Sequence, residues 1–290
     1  MSRIADSELI LNPDGSVYHL NLLPEHIATT VIFVGDQNRV SKITKHFDSI
    51  EFEIQKREFK TVTGSYKGTR MTVMSTGIGP DNIDIVINEL DALVNIDLKT
   101  RTLKKTHTQL KIVRIGTSGS LQSDIPVDSF VLAKYGLGLD GMLHSYDCEA
   151  ILEPAMEDAF IAHTGWNSRK ARPYIVKNSS SLEAQLADKQ LFLGITATAP
   201  GFYGPQGRVL RIPLEDAGLN NKIDSFKFNG STVTNMEMET SAIYGLSKLL
   251  GHKACSLNAI IANRANGTFS KDPYAAIDKL IEFTLEKLKD

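Results

Sequence analysis

Cysteine is almost missing: Cys148 and Cys255 are the only two in 290 residues, and they form no metal-ligand spacing. That excludes a disulfide framework or a thiolate metal site as the organising feature, and it fits a reducing, cytoplasmic setting. Charge of one sign is equally scarce, with 32 Lys and Arg against 34 Asp and Glu and a net charge of −2. Nothing here is concentrated enough to make a nucleic-acid surface. No apolar run approaches membrane-spanning length, and the opening MSRIADSELI lacks the apolar core of a signal peptide. Internal repeats, low-complexity tracts and a recognisable linker are missing too. What is present is 42% hydrophobic residues, enough to bury a large core. The expectation is a soluble globular protein acting on something small, with neither nucleic acid nor membrane as partner.

The chain is organised around KIVRIGTSGSLQ, 111–122. Lys111–Ile115 is a β-branched, mostly apolar run and predicts a buried strand. It leads into Gly116-Thr117-Ser118-Gly119-Ser120, a small-residue stretch expected to leave amides open as an anion-binding nest. Arg114 lies within the strand, and an arginine there needs an anionic partner or a route to solvent. A phosphate or carboxylate pocket at a strand's carboxyl end accounts for these features, as does a tight turn beside a salt-bridged arginine.

Residues 1–28 read as an irregular arm containing His19, a lone histidine of the kind that is usually structural. Val31–Val34 predicts a strand, followed by Gly35 and a helix carrying Val40, Ile43 and Phe47. Arg39 falls in that helix's first turn, where free N–H groups favour anions. Phe52–Tyr66 and Thr69–Thr76 alternate around Lys67-Gly68 as a β-hairpin, with Arg57 early in its first strand. After Gly77-Ile78-Gly79-Pro80, Asp81 or Asn82 is expected to cap a helix carrying Ile85, Val86, Leu90, Leu93 and Val94. Leu98–Leu110 is basic and threonine-rich, a solvated loop or helix extension.

Ile125–Tyr135 and Leu191–Ala199 predict further strands, and the second opens into PGFYGPQGR, 200–208. Phe202 suits a planar ligand there, while Gln206 and Arg208 offer polar atoms to a heterocycle edge. Asn235–Leu250 reads as an amphipathic helix whose first turn carries Glu237 and Glu239, pointing in different directions. Lys253–Ala262 is a strand, and Asp272 or Pro273 starts a last helix. The alternation of strands and helices argues for one α/β domain over 1–290.

Taken in order, YHL (18–20), GDQNRV (35–40), REF (57–59), STGIG (75–79), RIGTSG (114–119), FYGPQGR (202–208), NMEMET (235–240) and NR (263–264) resemble the nucleoside phosphorylase family, closest to its uridine phosphorylase branch. The resemblance implies a three-layer α/β/α fold around a central mixed, partly barrel-like sheet. It implies phosphorolysis of a pyrimidine nucleoside, with inorganic phosphate as co-substrate and no required cofactor. Gly35, Arg39, Arg114 and Thr117 would hold phosphate, with Arg57 reaching in from a neighbouring subunit. Glu239, Met238 and Glu237 would meet the ribose, with His19 approaching the 5′-hydroxyl from the partner. Phe202, Gln206, Arg208, Ser118 and Gly119 would surround the base. Arg208, Glu239 and Arg114 are the expected catalytic residues, and Glu58, Ile78 and Asn82 match a site for a monovalent cation such as K⁺. The borrowed His19 and Arg57 imply a homodimer at minimum, and the family implies a hexamer built as a trimer of dimers.

The chain departs from the family pattern at Gly204-Pro205, Gly207, Pro80, Ser118 and Asn82, and in its longer, basic 98–110 segment. Rival readings are a purine nucleoside phosphorylase, a nucleosidase that uses water, and a non-catalytic nucleoside-binding protein. Against the first, Ala262-Asn263 offers no carboxyl group where the purine enzymes carry an acid.

Overall fold

Among the described residues, twelve strands join in one sheet. A computed structural model describes residues 3–289. In chain order the first half comprises β1 (Thr30–Val34), α1 (Gln37–Thr44), β2 (Ser49–Lys56), β3 (Phe59–Tyr66), β4 (Thr69–Ser75), α2 (Pro80–Asn95), β5 (Ile96–Asp97), β6 (Thr102–Leu103) and β7 (Lys111–Ser120). Then come β8 (Phe130–Gly138), α3 (Pro154–Thr164), β9 (Tyr174–Lys177), α4 (Ser180–Leu186), β10 (Leu191–Thr198), α5 (Leu219–Ser225) and β11 (Lys227–Phe228). The chain closes with β12 (Ser231–Glu237), α6 (Thr240–Leu249), β13 (Lys253–Asn263), β14 (Thr268–Phe269) and α7 (Pro273–Leu288).

The sheet runs β11-β12-β10-β8-β13-β7-β1-β4-β3-β2, and β12 also pairs with β7. That extra pairing closes β12, β10, β8, β13 and β7 into a ring, so half of the sheet is a barrel and half stays open. Parallel pairings of β1 with β4 and β7, of β7 with β13, and of β10 with β8 and β12 bring several carboxyl ends to one edge. Helices cover both faces. One apolar layer joins α2 and α6 to the sheet through Val86, Leu90 and Ile243, and the other joins α1, α4 and α7 through Ile43, Leu182 and Leu280. This is a mixed α/β fold with a partial barrel, as the resemblance implied.

Several boundaries differ from the sequence reading, each for a local reason. The alternating run 52–66 is two strands, because Arg57 adopts φ +55° and turns the chain between β2 and β3. Alternation continues across so short a turn, which hides it. Gly116–Ser120 is no nest; β7 runs through it, and its backbone pairs with β13 on one side and β12 on the other. Gly116 is small there because the Arg114 guanidinium lies over it, 1.9 Å from where a Cβ would fall. Asn235–Glu237 belongs to β12, and the helix begins only at Thr240 with Glu239 as N-cap. Helix α2 is capped by Gly79 at φ +98° with Pro80 at its first position, not by Asp81 or Asn82. The expected strand from Ile125 starts at Phe130, and the basic segment contains β6, which pairs with β5 just before it. The arm is irregular as expected, yet Val17, Leu20 and Leu22 bury themselves in this chain's own core.

Candidate active site

A cavity of about 860 Å³ opens at the edge where β1, β4 and β12 end. Gly35 and the start of α1 form one side, Gly77 and Ile78 another, and Met236–Glu239 the floor. The 202–208 turn closes the far end with Phe202, Gln206 and Arg208. Ligands of open α/β sheets bind in this kind of crevice beyond the strands' carboxyl ends.

Arg114 is the electrostatic centre. Its Nη2 donates to Glu239 Oε2 at 2.6 Å and lies 3.2 Å from Glu237 Oε2, while Nη1 donates to Asn258 Oδ1 at 2.8 Å. All of these groups are buried. Burial works to lower the Arg114 pKa, but the two glutamates hold it above the ordinary value. Glu239 feels the same burial, which raises its pKa; Arg114 opposes that shift and Glu237 adds to it. Both glutamates therefore serve one guanidinium, whereas a helical spacing predicted divergent directions. The end of β12 and the helix cap bring them together.

The two carboxylates nonetheless differ. Glu237 is committed: it accepts from Thr198 Oγ1 at 2.7 Å and from the Glu239 and Thr240 amides, closing the N-terminus of α6. Among the described residues Glu239 Oε1 accepts only the Gly79 amide, at 2.9 Å, and its residue lines the cavity.

Arg39 reaches the cavity from the first turn of α1, where Asp36 caps the helix by accepting the Asn38 amide. Its Nη1 donates to the Ile115 carbonyl at 3.2 Å. No carboxylate pairs with it within ion-pair distance among the described residues, and burial together with neighbouring Arg114 lowers its pKa to about 10. It stays charged at neutral pH. Two guanidiniums at one end of a cavity, one of them unpaired, define a place for an anion.

The 202–208 turn is bonded to itself. Arg208 lies over the Phe202 ring, 3.9 Å from its centroid, and donates to Gln206 Oε1 at 2.6 Å and to the Phe202 carbonyl at 2.5 Å. Burial lowers its pKa. With Gln206 Oε1 engaged, the amide Nε2 is the group left to donate. Arg264, to which the sequence reading assigned no role, donates to the Gln206 carbonyl at 2.5 Å, and Asn220 donates to the same carbonyl at 3.1 Å. Thr117, Ser118, Gly119 and Met238 also line the cavity, and Ser118 accepts from the Asn235 amide at 2.8 Å.

His19 and Arg57 do not line it. His19 borders a separate cavity of about 240 Å³, with its Nδ1 2.6 Å from Glu89 Oε1. Arg57 sits exposed in the β2–β3 turn, beside Glu58, which does line the main cavity with Ile78 and Asn82. Residues missed from sequence include Gln37, Asn38, Ile261 and Phe269 as lining groups, and Asn258 as the third partner of Arg114. Asn258 left one signal, a polar residue in the middle of an apolar strand.

A metal reading arises elsewhere, where Asp91, His107 and His252 bring ligand atoms within 4.8 Å of one another. The Leu110 amide donates to His252 Nδ1 at 3.1 Å, which leaves the proton on Nε2, facing Asp91. That nitrogen is then a donor and not a ligand.

The profile of the phosphorylase superfamily matches residues 29–286. The chain belongs to that superfamily. It is similar to a uridine phosphorylase of Thermococcus kodakarensis, 29% identical over 93% of this chain and 86% of that one. It is also similar to a purine nucleoside phosphorylase of Colwellia psychrerythraea, 26% identical over 93% of this chain and 98% of that one. Among solved structures, a Trypanosoma brucei nucleoside phosphorylase that shows uridine phosphorylase activity superposes with a TM-score of 0.87. The two are 30% identical over 97% of this chain and 99% of the other. No helix among the described residues is long and apolar enough to cross a membrane.

Proposed function

We propose that this superfamily member catalyses phosphorolysis of a pyrimidine nucleoside, converting uridine and phosphate to uracil and ribose 1-phosphate. The observation that carries this reading is one cavity lined both by Arg39, Arg114 and Glu239 and by Gln206 and Arg208 of the 202–208 turn. Phosphate sits against Gly35, Arg39, Arg114 and Thr117, Glu239 and Met238 hold the ribose, and the base lies by Phe202. As the glycosidic bond breaks, positive charge develops on the ribose and negative charge on the base. Glu239 faces the first, while Arg208 and the Gln206 amide donate toward the second. Arg39 and Arg114 orient the phosphate oxygen at C1′. Electrons of that oxygen form the new C–O bond as the C–N pair leaves with uracil.

Pyrimidine preference is supported at the base end, where Ala262 lines the cavity and Asn263 turns away to donate to the Gln122 and Ile125 carbonyls. Among the described residues, Ala262 and Asn263 offer no acid there to protonate a purine ring. His19 and Arg57, both outside the cavity, act in this reading within a partner's site, in a dimer or a trimer of dimers. For a monovalent cation, Glu58 and the Ile78 carbonyl supply oxygens, although the Asn82 amide donates to that carbonyl at 3.4 Å.

The test is release of free base from uridine, thymidine, inosine and adenosine, with and without phosphate. Uracil released only with phosphate is the expected result; release without phosphate makes the protein a nucleosidase, and purine release reverses the base assignment. No release from a protein that still binds nucleoside favours a binding protein. Arg208→Ala is expected to lower uridine kcat about 10²-fold, the size of a lost donor to developing charge, and to narrow the gap between bases. Unchanged turnover in that variant refutes the base-reading role.

A further inference from the structure

Behind the 202–208 turn lies a second cavity of about 410 Å³. Gly204, Pro205 and Gly207 form the wall between the two, since Phe202, Gln206 and Arg208 of the same turn line the larger one. Facing them are Asp140, just past β8, the indole of Trp166, just past α3, and Leu214 and Leu219.

The carboxylates here are not equivalent. Glu215 has Asn167 at 2.8 Å, Lys170 at 3.5 Å and Arg169 at 3.9 Å; Asp216 has Lys222 at 2.9 Å. Asp140 has only neutral donors: the Met142 amide at 2.8 Å, the Tyr174 hydroxyl at 3.0 Å and the Ser241 hydroxyl at 3.5 Å. No cation pairs with it among the described residues, and burial raises its pKa. A half-buried carboxylate without a counter-ion, in one cavity with an indole, recognises an ammonium group by charge-assisted hydrogen bonding and cation–π attraction. The face already accepts a cation, because Lys170 Nζ stands 5.2 Å from the Trp166 ring centroid. That lysine is engaged by Glu215 and does not reach Asp140 within ion-pair distance.

We propose that this cavity binds a compact organic amine, with the ammonium on Asp140 and the apolar body along Trp166 and the two leucines, and that occupancy alters nucleoside affinity through the shared turn. The path is short. Leu219 opens α5, and Asn220, next in that helix, donates to the Gln206 carbonyl. Gly207 has φ +70°, and a Cβ there would fall 2.1 Å from Asn220 Nδ2, so turn and helix are in contact. Amine binding stands on its own geometry; the effect on nucleoside affinity rests on the phosphorolysis reading.

Trp166 is the chain's only tryptophan, so its fluorescence reports on this cavity without any turnover. The intact protein is titrated with phenethylamine, and with phenethyl alcohol and phenylacetate as neutral and anionic probes of similar size. A saturable change is expected for the amine, with both other probes about tenfold weaker or worse. Asp140→Asn, which lies outside the phosphorolysis site, removes that preference and keeps basal uridine turnover. Saturating amine shifts the uridine KM by about twofold or more while kcat holds. Equal binding of the three probes, no saturable signal at millimolar amine, or unweakened amine binding by the Asp140→Asn variant overturns the site. Amine binding with an unchanged KM overturns the coupling alone. Failure of uridine turnover leaves the fluorescence titration fully interpretable and counts against the phosphorolysis reading only.

Discussion

Arg114→Ala is expected to lower stability by about 3–5 kcal/mol and kcat/KM for uridine by about 10³-fold. Arg114 is the only cation within ion-pair distance of Glu237 and Glu239 among the described residues, and both carboxylates are buried. Removing one side of a buried ion cluster leaves charge that neither water nor a partner can satisfy, which is the costliest way to disturb it. The 10³-fold loss corresponds to about 4 kcal/mol of transition-state stabilisation. It combines a missing phosphate ligand with a Glu239 no longer held toward the ribose. Urea denaturation and initial-rate kinetics read the two effects separately. Arg114→Lys is the control: it keeps the charge, loses the two-armed reach to Asn258 and Glu239, and falls between. An alanine variant as stable and active as the parent refutes the role assigned to the cluster.

Gly116→Ala is expected to be nearly as damaging, although it adds a single methyl. Arg114 and Gly116 are two apart on β7, so they face the same side, and the guanidinium folds back over the glycine. A Cβ at Gly116 would fall 1.9 Å from Arg114 Nη1 and 2.5 Å from Cζ. A free side-chain end swings aside at little cost. This one is tied to Asn258, Glu239 and Glu237 inside the barrel, so it moves only by giving up those bonds. The expected loss is about 2–4 kcal/mol, between overpacking a core and breaking a buried pair, with uridine turnover falling about 10²-fold or more. A structure of the variant with Arg114 still on Glu239 sinks the argument, as does unchanged turnover. Gly119→Ala is the comparison, because a Cβ there meets nothing closer than Arg264 Cδ at 3.5 Å.

The readings that held were those carried by long periodic segments. β1, β10, β13 and the start of α7 appear within a residue or two of expectation, because their burial patterns are one-dimensional facts about the chain, whereas α1 stops at Thr44, short of Phe47. The readings that failed lie where a non-local contact overrides local pattern. Residues 116–120 look like a loop because they are small, but small residues also let strands crowd into a barrel and an arginine lie across them. Residues 235–239 look like a helix start because apolar residues follow at helical spacing, yet pairing with β10 draws the first three into the sheet. Arg57 hides a turn inside an unbroken alternation.

Sequence by itself determined the inventory: an α/β chain without metal-ligand cysteines or a basic face, and a set of ordered motifs that mark its superfamily. The first follows from composition, periodicity and spacing, the second from the motifs' resemblance to the family, and neither needs a third dimension. Only the tertiary structure decided how the charged residues pair. Among the described residues, Glu237 and Glu239 turn to one arginine, Arg39 has no carboxylate partner, Arg208 lies on Phe202, and Asp140 meets no counter-ion. The reason is physical. Ion pairing is set by distances of a few ångströms between groups more than a hundred residues apart, and closing the ring of β7, β8, β10, β12 and β13 is what sets those distances.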